Sequence, residues 1–344
     1  YALHARLALN SAVYTDGQIK DYQKAIDYCD KILDNVGEGE GKYNLCRAEK
    51  NGYSGYQQLF MGDNDCNPEA MQEIIFPIRQ DGVKTESYAG TSYLINACNK
   101  AGMPYASTSD PWSCLFARVD LVKKFFPNGD IPMAAKEDIP ENATQEKIIA
   151  KDNEKGISTA DVVAQAKDDR ALFYMGIGGC SDKVRTLTPG DAITSPLNGA
   201  SFVKWTNLHA DGTAQHHQKF SDTDFPVFRL AEIYLTRAEA KYRLNGSQDG
   251  LEDILKVQDR AHRDLKASSV DEQTLIDEWC REFYMEGRRR SDLVRFGLFT
   301  GSKYLWSFKG GVEKGSGIES FYDIYPIPGK EIQNNPNLHQ NPKY

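Results

Sequence analysis

The sequence predicts a mainly α protein in which helices at both ends of the chain bracket a large loop-rich region with a few short strands. Two observations carry this. Apolar residues recur at helical spacing at Tyr22, Ala25, Ile26, Cys29, Ile32 and Leu33, and again at Phe228, Ala231, Tyr234, Leu235, Ala238 and Tyr242. Between these stripes, from residue 37 to about 225, Gly, Pro, Asn, Asp and Ser are frequent and apolar runs are short, which are turn and loop signals.

Residues 1–36 read as two helices, with Tyr14 near the turn between them and the second helix over residues 22–33. An antiparallel pair of this kind has the shape of a tetratricopeptide unit, so the helical part is expected to be a tetratricopeptide-like scaffold. In the middle, short strands are expected over residues 73–78 and 202–205 and a helix over 115–126. So long an irregular stretch in a compact protein commonly carries function. Helix returns over residues 227–244, closed by Asn245-Gly246 as a left-handed cap, then over roughly 251–265 and about 271–287. From Gly301 the tail reads as irregular. The chain thus divides into residues 1–36, 37–225, 226–300 and 301–344.

With 344 residues, 40% of them hydrophobic and 26% charged, the chain can bury a substantial core. A formal net charge of -8 argues against a nucleic-acid partner, because phosphate binding needs a clustered basic surface and the one dense basic run, Arg288-Arg289-Arg290, is short. With Glu282, Glu286 and Asp292 nearby, that run reads as an internal ion-pair cluster ending a helix. Seven cysteines, among them Cys66, Cys114 and Cys180, are scattered without a C-x-x-C and read as buried thiols rather than a disulfide framework or zinc site. No stretch approaches the roughly 20 apolar residues that span a bilayer. The opening residues Tyr1-Ala2-Leu3-His4 read as the inside of a helix, so a preceding segment is expected.

Two loops each place one large aromatic among small polar residues: Tyr88 in Ser87-Tyr88-Ala89-Gly90-Thr91 and Trp112 in Ser109-Asp110-Pro111-Trp112. Such rings serve as stacking platforms for the C–H face of a sugar, or else plug their loop onto the core; the residues alone leave both open. Asp65, Asn67 and Glu69 alternate like the opening of a calcium loop, with the Met71 carbonyl at the seventh position, and Asp222 and Asp224 complete the shell from far along the chain. The turn glycine and the closing glutamate of an EF-hand are missing, and Asx-turns are the plainer alternative. His216-His217 reads as a solvated pair.

Three segments together resemble the SusD/RagB family of outer-membrane glycan-binding proteins. They are residues 228–240 (Phe228-Arg229-Leu230-Ala231-Glu232 onward), residues 282–297 (Glu282-Phe283-Tyr284-Met285-Glu286-Gly287-Arg288 onward) and the tail over 325–344. Residues 71–85 and Pro111-Trp112-Ser113-Cys114 look closer still to the starch-binding member of that family. The resemblance implies a non-catalytic receptor for α-glucan or maltooligosaccharide, lipid-anchored at the outer membrane through an N-terminal part absent from this sequence, and partnered with a TonB-dependent SusC-like porin. It also implies that Tyr88 and Trp112 stack on glycan and that Asp65, Asn67, Glu69, Met71, Asp222 and Asp224 hold a structural calcium. Two other readings compete: a glycosidase, for which no catalytic motif is found, and a tetratricopeptide scaffold for peptides, which leaves the aromatic loops without a purpose.

Overall fold

The computed structural model describes residues 1–39, 41–99, 103, 107–133, 144, 146–147, 150, 154–176 and 200–344, so Cys180 lies outside the described residues. The expected helices form at both ends: Ala2–Leu9 and Tyr22–Leu33, then Leu230–Asn245, Leu251–Arg260, Glu272–Phe283 and Arg289–Arg295. They share one core. Ala5, Leu9, Ala25, Cys29 and Ile32 pack with Leu235, Ala238, Ile254, Val257, Leu275 and Trp279. Alanines at the contact let the helices approach closely. Ion pairs then fix their relative position: Arg6 Nη2 lies 2.7 Å from Glu232, and Arg237 bridges Asp30 at 2.7 Å and Asp253 at 2.6 Å. The Leu230–Asn245 helix ends as expected on Gly246, whose φ of +70° lets its N–H turn back to the Tyr242 carbonyl.

Several boundaries differ from the sequence expectation, and each difference has a partner distant in the chain. The long helix starts at Leu230 and not at Val227, because Phe225–Arg229 is a strand paired antiparallel with Ile74–Ile78, through the expected strand at 73–78. The helix expected over 115–126 is reduced to Val119–Val122, since Phe116–Ala117 joins a three-stranded sheet with Ala200–Phe202 at its centre and Phe173–Tyr174 beyond. That central strand ends at Phe202, short of the expected 205, and Lys204 turns inward. The helix expected to reach 265 stops at Arg260, where His262 adopts a left-handed backbone. The third C-terminal helix stops at Phe283. Tyr284 then leaves the bundle and stacks on Phe173 at 5.7 Å and Phe202 at 6.0 Å, while Met285, at φ +61°, gives its carbonyl to Trp205 Nε1.

The basic run is also placed differently. Arg288-Arg289-Arg290 opens the Arg289–Arg295 helix instead of ending one. Arg288 pairs with Glu232 and Asp292, Arg289 donates to the Ile276 carbonyl, and Arg290 holds the tail, its guanidinium 3.8 Å above the Tyr325 ring. Glu282 and Glu286 pair with other cations. Of the cysteines, Cys29, Cys46, Cys98 and Cys280 are buried as expected, but Cys66 and Cys114 are exposed; all six are free thiols.

Loop region and bundle are joined by a fully buried ion network. Glu282 contacts Arg229 and Arg260, with Arg170 at 3.0 Å; Glu73 takes Arg260 at 2.7 Å and Arg229 at 3.2 Å. Glu286 holds Arg229 at 2.8 Å and Lys204 at 2.6 Å, and Glu278 holds Arg170 at 2.6 Å and Arg281 at 2.7 Å. Asp168 closes the chain of contacts with Arg170 and Arg263. Burial pushes the Lys204 ammonium down to about 8 against the pull of Glu286. Burial pushes the carboxyls of Glu278 and Glu239 up, but their arginine partners outweigh it and hold both down to about 2.

Two outcomes follow for stability. Removing one partner of a buried pair strands the others, so Glu282→Ala is expected to cost about 3–5 kcal/mol in urea unfolding. Because Glu278 and Glu239 are held near 2 when folded and titrate near 4.5 when unfolded, their contribution is complete above pH 4.5 and is lost as pH falls toward 2. Urea midpoints measured between pH 5 and pH 2.5 should fall steeply.

Candidate functional site

Tyr88 and Trp112, far apart in sequence terms and on different loops, come together. Their ring centroids lie 5.7 Å apart with planes inclined at 44°. Two further rings extend the group: Tyr93 sits edge-on to Trp112 at 5.9 Å, and Phe220 sits edge-on to Tyr88 at 4.9 Å, backed by His217 stacked on it at 4.7 Å. Tyr88 and Tyr93 are 44% and 46% exposed, so their faces are available to a ligand. Tyr88 is thus not driven into the core, and Trp112 is partly buried.

Backbone bonds fix the loops that carry these rings. The Thr91–Cys98 helix stands at the centre: its Asn96 carbonyl accepts from Trp112 N–H at 2.7 Å, and its Ala97 carbonyl accepts from Cys114 N–H. The same helix holds the 217–223 segment, through Thr91 Oγ1 donating to the Thr223 carbonyl at 2.6 Å and Ser221 N–H donating to Ser92 Oγ at 2.8 Å. Asn207, buried, donates to the carbonyls of His217 and Phe220 and accepts from Asp222 N–H. Gly90, at φ +61°, allows the chain to turn from Tyr88 into the helix against the Gln80 side chain.

The six oxygen-donor positions separate into groups. Asp65 and Asp224 share one partner: Arg79 lies 3.2 Å from each, with Nη2 on Asp65 and Nε on Asp224. Asp224 also accepts Gln80 N–H at 2.7 Å, and burial pushes its carboxyl up to about 6 although Arg79 and that bond pull the other way. Asn67 is turned elsewhere, capping the Pro68–Glu73 helix through Glu69 N–H and donating to Gln58. Glu69 lies in the first turn of that helix, and the Met71 side chain is 51% exposed. Asp222 belongs to a different group, accepting from Gly82 N–H, His216 N–H and the His209 and His216 rings. Burial pushes its carboxyl up, but these bonds prevail and hold it down to about 2.

Sequence reasoning missed Tyr93, Phe220, Arg79 and Asp81. Phe220 carries the same signal as Tyr88, a lone aromatic in a polar loop, beside Lys219 and Ser221. Tyr93 is an exposed aromatic on a short helix, and nothing in the local pattern marks it. His216-His217 is not simply solvated, since His216 contacts Asp222 and His217 packs on Phe220.

Comparison with known proteins places this geometry. The model of the SusD family matches residues 72–344. Over its whole length the chain is 50% identical to the starch-binding protein SusD of Bacteroides thetaiotaomicron, of which it spans 59%. It is 31% identical, over 41% of its length, to the SusD-like protein P25 of Formosa agariphila. Its fold is that of a SusD-like protein from Bacteroides fragilis (TM-score 0.60, 16% identity, covering all of this chain and 64% of the other). It also matches surface glycan-binding protein A of Bacteroides thetaiotaomicron, solved with laminarihexaose (TM-score 0.57, 18% identity, 98% of this chain and 62% of the other). The helical bundle, the ordered loops around Tyr88 and Trp112 and the match over residues 72–344 agree, and the chain belongs to the SusD family.

Proposed function

We propose that the protein binds starch-like α-glucan chains without cleaving them. The inclined pair of Tyr88, half-exposed, and Trp112, partly buried, supports this reading most directly. An α-1,4-glucan coils, so successive glucose rings turn their apolar faces along a bent path, and rings set 44° apart follow that path better than a flat strip would. Fifty percent identity to a protein named for starch binding points the same way. A structural neighbour solved with laminarihexaose favours one second reading, a receptor of this family for another glucan.

On the same reading the helical part is a tetratricopeptide-like scaffold. The protein works at the outer face of the outer membrane, lipid-anchored through a segment preceding this sequence, and passes glycan to a TonB-dependent SusC-like porin. Family membership supports this part. Among the described residues no helix is long and apolar enough to cross a membrane.

The proposed structural calcium belongs at Asp65 and Asp224. Two carboxylates from distant loops converge on one guanidinium, and their oxygens are the donors a hard cation takes. Arg79 is largely exposed and free to swing away. Bound there, calcium would tie the 65–71 loop to the 222–224 turn.

Three measurements test the proposal. Isothermal titration should show binding of maltoheptaose and α-cyclodextrin in preference to cellohexaose and laminarihexaose, and Trp112→Ala should weaken maltoheptaose binding by roughly 2- to 10-fold, the worth of one stack of about 0.5–1.5 kcal/mol. Equal affinity for coiled and flat glucans would refute the α-glucan reading. Amylose incubated with the protein should release no new reducing ends. Calcium chloride added to metal-free protein should raise the melting temperature of the wild type and leave Asp65→Ala unmoved, because a bound metal stabilises the state that holds it.

A further inference from the structure

A second group of metal-type ligands stands beside the glycan platform. Asp81, His216 and Asp222 each offer one donor atom, and these atoms all lie within 4.8 Å of one another. His216 Nδ1 is 3.1 Å from Asp222 Oδ1, and on the other side of the same carboxylate His209 Nε2 is 3.3 Å from Oδ2. The His209 ring is nearly buried and is oriented by Thr213 Oγ1, 2.8 Å from its Nδ1. This is not an acidic cluster of the surface kind: one imidazole and two carboxylates from two separate segments face one point, and His209 holds Asp222 from behind.

We infer that Asp81, His216 and Asp222, with His209 orienting Asp222 from behind and water as the fourth donor, form a site for a borderline divalent transition metal of the zinc type. The donor chemistry selects the metal. Imidazole nitrogen suits zinc, copper and nickel, whereas calcium and magnesium take oxygen alone. Tetrahedral zinc with ligand bonds of about 2.0–2.2 Å sets its donors roughly 3.4 Å apart, so closing the present spacing requires only small side-chain movements. His216 is exposed and free to make them, and Lys84, which lies 3.3 Å from Asp81, is itself exposed and can withdraw. Outer contacts are already in place, since Gly82 N–H donates to Asp222 at 2.8 Å, and Val83 and Lys84 N–H donate to Asp81.

The site differs from the one at Asp65 and Asp224 in donors and in consequence. Asp81 lies on the loop that leads to Tyr88, and His216 and Asp222 flank His217 and Phe220. A metal here cross-links the two segments whose rings touch at 4.9 Å. It therefore braces one end of the aromatic platform.

The experiment uses metal-free protein titrated with zinc chloride, with calcium chloride and magnesium chloride as controls. Zinc at a hundredfold excess over its dissociation constant is expected to bind with one-to-one stoichiometry in calorimetry and to raise the melting temperature by roughly 2–5 °C. His216→Ala and Asp81→Asn should each abolish the effect, and Asp65→Ala should keep it while losing the calcium response. Cobalt substituted for zinc should give the visible absorption of a tetrahedral centre. Absence of one-to-one zinc binding, or zinc stabilisation undiminished in both His216→Ala and Asp81→Asn, overturns the inference.

Discussion

Everything else in the molecule hangs on the buried carboxylates of Glu73, Glu278, Glu282 and Glu286 finding their cations. None of these charges has water to fall back on, so each must be matched by a partner at bonding distance. The partners come from all over the chain. Arg229 ends the strand before the long helix, Arg260 ends the next helix, Arg170 lies in a loop and Lys204 follows a strand. Satisfying them fixes where the helical bundle stops and how the loop region sits on it. The network is thus a registration device as much as a source of stability, and its members sit where the long helix begins later, and the next two helices end earlier, than their apolar stripes imply.

That registration is carried outward to the platform in steps. Trp205, packed face to face on Phe225 at 5.4 Å, anchors the chain next to Lys204, and Asn207 just beyond it organises the 217–222 segment through four hydrogen bonds. The Thr91–Cys98 helix grips that segment from the other side while carrying the Trp112 loop on its carbonyls. A surface of half-exposed rings is costly to hold open, because the same apolar faces gain by collapsing onto one another. Tethering the backbone on either side keeps Tyr88 and Trp112 inclined to one another and not flat together, ready for a flat apolar face that costs little further ordering to bind.

The 222–224 turn shows how one short segment serves two neighbouring groups. In an extended chain successive side chains point to opposite sides, so Asp222 and Asp224, two apart, share a side and both face the 79–90 loop. Here each has its own backbone donor from the 79–90 loop: Gln80 N–H for Asp224 and Gly82 N–H for Asp222. Their environments then diverge. Asp224 is buried with one arginine and titrates high, while Asp222 collects histidine and backbone donors and titrates low.

By itself the sequence determined the helical ends of the protein, the loop-rich middle, the strand at 73–78, the Gly246 stop and the two aromatics at Tyr88 and Trp112. These are legible because apolar period, a left-handed glycine and a lone ring among small polar residues are local signals. The tertiary structure decided what depends on a distant partner. Val227 and Leu115 carry apolar residues at spacings compatible with helix, and only the pairing of Phe225–Arg229 with Ile74–Ile78 and of Phe116–Ala117 with Ala200–Phe202 makes them extended. In the same way, alternating oxygen donors at 65, 67 and 69 cannot reveal that Asn67 caps its own helix while Asp65 shares Arg79 with Asp224. Nor can Tyr93 and Phe220 be assigned to the platform before the chain has folded, because what makes a ring part of a binding surface is the company of other rings, and that company is set by long-range contacts.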